Sequence, residues 1–369
     1  MIGRVVEKIV RDTFAKCDVE IGGQRPWDIR VHDDAWYRRL ALNPSFELGE
    51  SYMDRQWDCN AIDELLYRLF SSSDGRAHER GWKYHLRNTW ARVNNRQSRA
   101  RAGRVAQHHY DITPELFQRM LDAETMSYTC GVWQDGDALG DAQHNKLKLI
   151  CDKLALEEGE TLLDIGSGFG GLAIYAATRY GARVRGITNS RMHYHVATAR
   201  AAHLPNVEFS LMDYRELPSQ NWRFDKVASI EMIEAVGPKN FGTYMDIVHR
   251  SLRRQGRFVM QAFISNTSQH VCNEWFDRHI FPNGVSPSMA QLDLAASGNF
   301  IAPDDVDDIG QHYSPTLLAW DDNFQQHWPD LSAQFDERFR RMWHFYLTCL
   351  AGVFRAEDLR LCQLTYQRS

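Results

Sequence analysis

The sequence predicts an α/β protein: a Rossmann-like, doubly wound and mostly parallel sheet with a helical cap and a smaller N-terminal α+β domain. Three observations predict it. Short apolar runs alternate with helical patterns between residues 161 and 265. A glycine-rich loop at residues 166–171 joins the first of those runs directly to a helix. Beyond about residue 270 the chain turns helical and rich in aromatic residues.

Composition bounds the rest. With 369 residues, 43% hydrophobic and 25% charged, the chain has room for one large domain and a smaller one. A net charge of −5 gives no basic field, which argues against nucleic acid as a partner. Seven scattered cysteines with no C-x-x-C pair argue against a disulfide framework or a structural zinc site, so no metal is proposed. MIGRVVEKIVRDTFAKC lacks the apolar core of a signal peptide, and no stretch approaches about 18 uninterrupted apolar residues. The expectation is a cytoplasmic protein, with peripheral association at the inner face of the membrane left open.

The elements follow in order. Residues 1–86 mix short helical patterns with GGQRPWDIRVHDD, a turn-rich stretch holding a strand candidate at Asp28-Ile29-Arg30-Val31. Residues 87–106 change character, carrying Arg87, Arg92, Arg96, Arg99, Arg101 and Arg104 with no acidic residue. Such a run is either a solvated linker helix or a polybasic face for anionic headgroups, each Arg contributing roughly 1 kcal/mol near a membrane surface. Residues 107–369 form the larger domain. TLLDIGS is its first strand, FGGLAIYAATRYG a helix stopped by Gly181, ARVRGITNS a second strand and RMHYHVATARAAH a second helix. NVEFSLMD and RFDKVASIE are the third and fourth strands. PKNFGTYMDIVHRSLRRQG reads as a helix opened by Pro238 and closed by Gly256, RFVMQAFIS as the fifth strand and QLTYQ as the last.

The loop in LLDIGSGFGG is the first chemical signal. Gly166, Gly168, Gly170 and Gly171 let the backbone turn tightly and approach a ligand closely. Two acidic positions favour S-adenosylmethionine over a dinucleotide. Asp164 sits just before the glycines, where it would anchor the loop or a methionine amino group but would oppose a pyrophosphate. Asp213 ends the third strand, suited to accept from an adenine amine, with Tyr214 beside it as a further cofactor contact.

Longer motifs are more specific. IRVHDDAWYRRL, LGESYMDRQWDC, HYDITPELFQRMLDAETMSYTCGVW, DIGSGFGG, VGPKNF, IFPNG, HYSPTLLAW and CLAGVFRAEDL succeed one another along nearly the whole chain. In these the chain resembles the cyclopropane fatty acid synthase family, S-adenosylmethionine-dependent enzymes that modify unsaturated acyl chains of membrane phospholipids. The resemblance implies a class I methyltransferase domain, unsaturated phospholipid as partner, peripheral membrane association and a homodimer. Cofactor contacts carried over from it are Tyr128 and Thr129, where the family has a Tyr-Ser pair, and the four loop glycines. The family's Thr-x-Ser motif followed by Gln appears as Thr188-Asn189-Ser190 and then His193, which keeps one hydrogen bond for a ribose hydroxyl. Ser167 stands where the family's loop usually has cysteine.

Family members also bind bicarbonate beside the methyl group, and its ligands fall on Cys130, Glu234 and Tyr313. Three positions depart, putting bicarbonate in doubt. The family's two histidines are Gln261 and Ala235 here, and a usually small residue is Glu231.

SIEMIEAVGPKNF thus brings two carboxylates, Glu231 and Glu234, into a run that otherwise reads as buried, at the end of the fourth strand. Methylation of an alkene leaves a carbocation that an anion stabilises and a base must deprotonate. Two like charges in a dry site do not both ionise easily, so one has a raised pKa. Glu231 is then either a built-in base in the bicarbonate position or a structural partner of a nearby Arg or helix end. Cys130 reads as a hydrogen-bonding wall, since methyl transfer needs no covalent intermediate. Trp320 and the aromatic run at residues 343–354 read either as an acyl tunnel or as plain core. The expected product is a cyclopropane. The alternatives are a methyl- or methylene-branched chain, or a non-catalytic role in binding lipid or a partner enzyme.

Overall fold

The computed structural model describes residues 2–73, 87, 88, 91, 95–97, 113–300, 303 and 305–368. Arg92, Arg99, Arg101 and Arg104, and the expected boundaries at residues 86 and 106, lie outside the described residues. In chain order the elements begin with α1 (Ile2–Lys16), β1 (Arg30–Val31), α2 (Ala35–Leu42), α3 (Pro44–Met53), β2 (Trp57–Asp58) and α4 (Ile62–Ser71). They continue with α5 (Pro114–Met120), α6 (Leu139–Leu154), β3 (Thr161–Ile165), α7 (Gly171–Arg179), β4 (Arg183–Thr188) and α8 (Arg191–Arg200). Next come β5 (Val207–Leu211), α9 (Leu217–Gln220), β6 (Phe224–Ile230), α10 (Phe241–Ser251) and β7 (Leu252–Ser265). The last are α11 (Glu274–His279), α12 (Met289–Ala296), β8 (Asp305–Asp308), α13 (Tyr313–Gln326), α14 (Trp328–Leu331), α15 (Glu337–Arg355) and β9 (Leu359–Gln367).

The chain divides into two compact units. One comprises Met1–Asn94, His270–Pro282 and Tyr313–Leu359, so the cap helices group with the N-terminal residues; the other comprises Asn95–Gln269, Asn283–His312 and Arg360–Ser369.

The second unit is built on a seven-stranded sheet of order β5-β4-β3-β6-β7-β9-β8. The first five strands pair in parallel and β8 pairs antiparallel to β9, so the sheet is mostly parallel as the alternation predicts. Strands covered on both faces are apolar at consecutive positions. Leu162 and Leu163 are both fully buried but belong to different cores, because neighbouring strand residues point to opposite faces. Leu162 joins Leu147, Ile150, Ala173 and Ala197 from α6, α7 and α8. Leu163 joins Tyr244, Met245 and Val248 from α10 and Leu292 from α12.

One boundary differs from the sequence expectation. The helix predicted to close at Gly256 ends at Ser251, and β7 starts at Leu252. Leu252 takes an extended backbone, ψ 148°, and pairs with Phe224 of β6. Pairing with β6 outweighs the helical pattern of residues 252–255, and Gly256 passes so close to the Asp225 carbonyl that a Cβ would lie 2.8 Å from it. The last strand is likewise longer than QLTYQ, since β8 supplies a partner from Asp308↔Cys362 onward. Asp28 is no strand residue: it is buried and accepts from the backbone N–H of Glu20 and Arg25 and from the Arg25 guanidinium. β1 is therefore reduced to Arg30 and Val31, paired with Asp58 and Trp57.

In the first unit α15 lies against α4, and Gly352 allows the approach. A Cβ there would sit 2.4 Å from the Asp63 carbonyl oxygen and 2.8 Å from the Tyr67 nitrogen. Trp275, Phe345, Tyr52 and Trp57 pack edge to face or tilted around this region, with ring centroids 5.0–6.4 Å apart. Arg87, the first arginine of the basic run, pairs with Asp277 at 2.6 Å and so is committed within this unit.

Gly352→Ala is expected to lower the unfolding free energy by about 1–3 kcal/mol through overpacking, read as a lower urea midpoint. Gly242→Ala, on an exposed position of α10 where a Cβ meets nothing within 4 Å, is expected to be neutral or stabilising by up to ~1 kcal/mol. Equal midpoints would refute the tight α4–α15 contact.

Candidate active site

The predicted cofactor loop forms at the C-terminal end of β3. Gly168 and Gly170 have φ of 49° and 85°, the left-handed region in which a side chain is strained. Gly171 opens α7, and a Cβ on it would meet the Thr125 carbonyl oxygen at 2.5 Å. The loop is pinned from two sides. The N–H groups of Gly166 and Ser167 donate to the Ile187 carbonyl of β4 at 2.9 and 3.0 Å. Arg200, at the end of α8, donates to the carbonyls of Thr125, Phe169 and Glu124. Nothing in the sequence marks Arg200, since a basic residue in a last helical turn is ordinary.

Asp164 is buried, and its Oδ2 has no hydrogen-bond partner. Burial pushes its carboxyl up to about 7, opposed by the charge of Lys146. A buried acidic oxygen without a donor, beneath a glycine cradle, fits the ammonium group of S-adenosylmethionine. Thr188 Oγ1 accepts the Ser190 N–H at 3.1 Å, and the Ser190 side chain caps α8 by accepting the His193 N–H. The His193 ring meets Phe169 of the loop edge-on at 4.6 Å, and Asn189 is exposed. Asp213 is held by Arg215, from its N–H at 3.0 Å and its guanidinium at 2.9 Å. Tyr214 is buried in the sheet core, edge-on to Tyr244.

The two glutamates lie just past β6 in different environments. Glu231 has φ 51°, a conformation that suits glycine and explains why a small residue is at home there. Its own N–H donates to the Gln261 carbonyl on β7 at 2.8 Å. Its carboxylate Oε1 accepts the Cys130 backbone N–H at 3.0 Å and Gln261 Nε2 at 2.6 Å. Charge-assisted bonds of this kind are roughly twice as strong as neutral ones and offset the backbone strain. Glu234 Oε1 accepts the Phe263 N–H at 2.7 Å, while Oε2 is buried without a partner. Burial pushes this carboxyl up to about 8, and the charge of Glu231 adds to the rise. Burial and the neighbouring Glu231 thus both favour the neutral form of Glu234.

Lys146 completes the site. It is 2% exposed, and its ammonium donates to Thr129 Oγ1 at 2.8 Å. Gln143 donates to the Thr129 carbonyl at 2.8 Å, so Thr129 is fixed at both ends. Burial lowers Lys146 to about 8, with the charge of Glu231 foremost among the groups that oppose the fall. Sequence reasoning missed this lysine. Its signal was present: Gln143 and Lys146 fall on the buried stripe of α6 with Ala142, Leu147, Ile150, Cys151 and Leu154.

Cys130 is fully buried, and its thiol lies 3.2 Å from the Gly131 carbonyl. Tyr128 packs edge-on against Phe117 at 5.1 Å. Tyr313 belongs to the first unit, where it heads α13 and its ring lies 4.6 Å from Phe354 and edge-on to Trp320. Trp320, Trp343, Phe345, Tyr346 and Phe354 are all buried in that unit.

Comparison with known proteins bears on the family and the fold. The profile of the mycolic acid cyclopropane synthetase family matches residues 97–364. The chain is 38% identical over 361 residues, 98% of its length and 93% of the relative's, to the cyclopropane-fatty-acyl-phospholipid synthase of Escherichia coli strain K12. It is 32% identical to the tuberculostearic acid methyltransferase UfaA1 of Mycobacterium tuberculosis, over 91% of this chain and 82% of that one. Among solved structures, the mycolic acid cyclopropane synthase CmaA1 in complex with SAH and CTAB superposes with a TM-score of 0.66 at 25% identity. That match covers 72% of this chain and 98% of the other.

The Glu234 carboxyl has a definite pH signature. Its folded value, about 8, lies above its ordinary 4.5. The folded state therefore holds a proton that the unfolded chain releases, and this stabilisation is complete below about pH 4.5 and lost as pH rises through about 8. Asp164 contributes with the same sign. Glu234→Gln is expected to flatten the fall in melting temperature between about pH 5 and 8. A slope identical to that of the unmodified protein would overturn the neutral assignment.

Proposed function

We propose, from the premise that this chain belongs to the mycolic acid cyclopropane synthetase family, that it methylates the double bond of an unsaturated phospholipid acyl chain and closes a cyclopropane ring. The chain is an S-adenosylmethionine-dependent methyltransferase. The observation that carries the proposal is the 38% identity, over 98% of this chain, to a cyclopropane-fatty-acyl-phospholipid synthase. The Glu231 carboxylate, held by the Cys130 N–H and the Gln261 amide, is the candidate base.

Each group then has a task. When bound, S-adenosylmethionine supplies the electrophilic methyl group. Asp164 receives its ammonium, Thr129 and Tyr128 its methionine end, the loop glycines leave room for it, and His193 and Asp213 serve the ribose and adenine. Lys146 holds the Thr129 hydroxyl in place. An isolated cis double bond is a weak nucleophile, so alignment supplies much of the rate. The methylated chain carries a carbocation beside the new methyl, and the fixed negative charge of Glu231 stabilises it. Glu231 then takes a proton from that methyl, and the electron pair of the broken C–H bond closes the ring. In this assignment a resident carboxylate occupies the role that bicarbonate has in the resembling enzymes, with Gln261 as its donor.

A second product follows from the same arrangement. A fixed base that takes its proton from the chain carbon beside the cation gives a methyl-branched chain with a shifted double bond. A hydride shift onto the cation before the methyl loses its proton gives a methylene branch. The presence of Glu231 and Gln261, and the 32% identity to a tuberculostearic acid methyltransferase, favour keeping it as the alternative.

We assign residues 1–86 to lipid association, residues 87–106 to a linker and residues 107–369 to the methyltransferase with its cap. Among the described helices none is long and apolar enough to cross a membrane. Peripheral contact at the inner face of the cytoplasmic membrane is supported by α1, which exposes Val5 and Ile9 beside Arg4 and Lys8. A homodimer is proposed on the resemblance.

With vesicles of a monounsaturated phospholipid, the protein is expected to add one carbon per acyl chain, with ring protons in the NMR spectrum. Exomethylene or shifted alkene protons instead would establish the alternative product. Glu231→Gly in bicarbonate-free buffer is expected to lower kcat by about 100-fold or more while calorimetry still detects S-adenosylmethionine binding. Unchanged turnover would remove Glu231 from the chemistry.

A further inference from the structure

Gln363 lies on β9 and Gln261 on β7, both fully buried. Their side-chain amides form a line. Gln363 Nε2 donates to Gln261 Oε1 at 2.9 Å, and Gln261 Nε2 donates to Glu231 Oε1 at 2.6 Å. The same oxygen of Glu231 accepts the Cys130 N–H at 3.0 Å.

An amide has a donor end and an acceptor end, so the direction of this line carries chemical information. While Glu231 is ionised, the Gln261 atom facing it must be a donor. Gln261 then turns its oxygen towards Gln363, which must present an N–H. Reversing both amides would set an oxygen against Glu231 at the same short distance, which is tolerable only if Glu231 carries a proton to donate. The two directions therefore belong to two protonation states of one carboxyl group. The observed direction leaves Gln363 Oε1 as the buried atom without a partner. Reversal would leave a buried N–H there instead, and orphaned donors are rarer in proteins than under-satisfied acceptors.

Among the described residues, the titratable groups acting on Glu231 include Lys146 on α6, which favours its ionised form, and Glu234 on its own segment, which opposes it when ionised. Asp164 on β3 acts on Lys146. The described hydrogen bonds from β7 and β9 into this line come from neutral amides.

We propose that Gln363 is a positioning residue: acting through Gln261, it fixes a donor on Glu231 and keeps that carboxylate ionised to receive the proton. This extends the assignment of Glu231 as the base and rests on it. No part of Gln363 needs to touch substrate or cofactor.

Two variants test it. Gln363→Met is close in shape and cannot donate, so Gln261 loses its fixed direction. Gln363→Glu places an acceptor opposite Gln261 and drives the reversed direction. The acid limb of the kcat profile is expected to move up by about one pH unit for Gln363→Met, roughly a tenfold loss on that limb, and further for Gln363→Glu. Activity should recover at higher pH, with KM for S-adenosylmethionine unchanged and Gln363→His, which keeps a donor, holding the original limb. A purely structural role would lower melting temperature and kcat equally at every pH, and that result would overturn the proposal. Glu231→Gln separates the two failures. If it turns over normally, the base assignment fails; if it is inactive while both Gln363 variants keep the original acid limb, only the amide relay fails.

Discussion

A carboxylate at a left-handed backbone position is the constraint on which this site depends. Glu231 sits at φ 51°, immediately after β6, where glycine would be unstrained. What makes glutamate tenable there is the pair of donors that meet its carboxylate, the Cys130 backbone N–H and the Gln261 amide. Those donors belong to separate stretches of chain, one before the cofactor loop and one on β7. Holding one charge therefore fixes the mutual placement of the segment carrying Tyr128 and Thr129, the end of β6 and the middle of β7.

Burial then distributes the charge. Desolvation disfavours every ionised group in a dry site, so a cluster of Asp164, Lys146, Glu231 and Glu234 cannot be fully charged. Asp164 and Glu234 are driven towards their neutral forms and Lys146 is weakened as a cation. Glu231 is the acid of this group that receives two donors on one oxygen. Weakening these charges suits a pocket that must also admit an apolar chain and a cationic methyl donor.

The surrounding motifs are explained by the same geometry. In VGPKNF, Gly237 has φ 81°, and a Cβ on it would collide with the side chain of Gln97. Gln97 in turn donates to the Asn283 carbonyl of IFPNG, and Asn240 exchanges amide contacts with Asn95. Residues 95–97 thus tie two motifs that are more than forty positions apart in sequence, and Arg215 links the Gln97 carbonyl to Asp213. These residues act as a frame for the loop that carries Glu234, whose own carbonyl accepts the Val285 N–H.

The sequence by itself determined a mostly parallel sheet, its first five strands and the cofactor loop. Strand apolarity, glycine punctuation and helix caps are local properties, and five consecutive strands with their helices obey them. It also singled out Glu231, Glu234, Cys130 and Gln261, because carboxylates in an apolar run and departures from a familiar motif are visible without coordinates. What it left open was decided by contacts between distant segments. Residues 252–256 became strand because β6 offered a partner, and the unequal roles of the two glutamates followed from Phe263 and Gln261 on β7. Lys146 and Gln363 read as an ordinary helix charge and an ordinary strand amide until packing buried them beside Thr129 and Gln261. A charge state depends on desolvation and on donors brought from elsewhere in the chain, and only the tertiary structure supplies both.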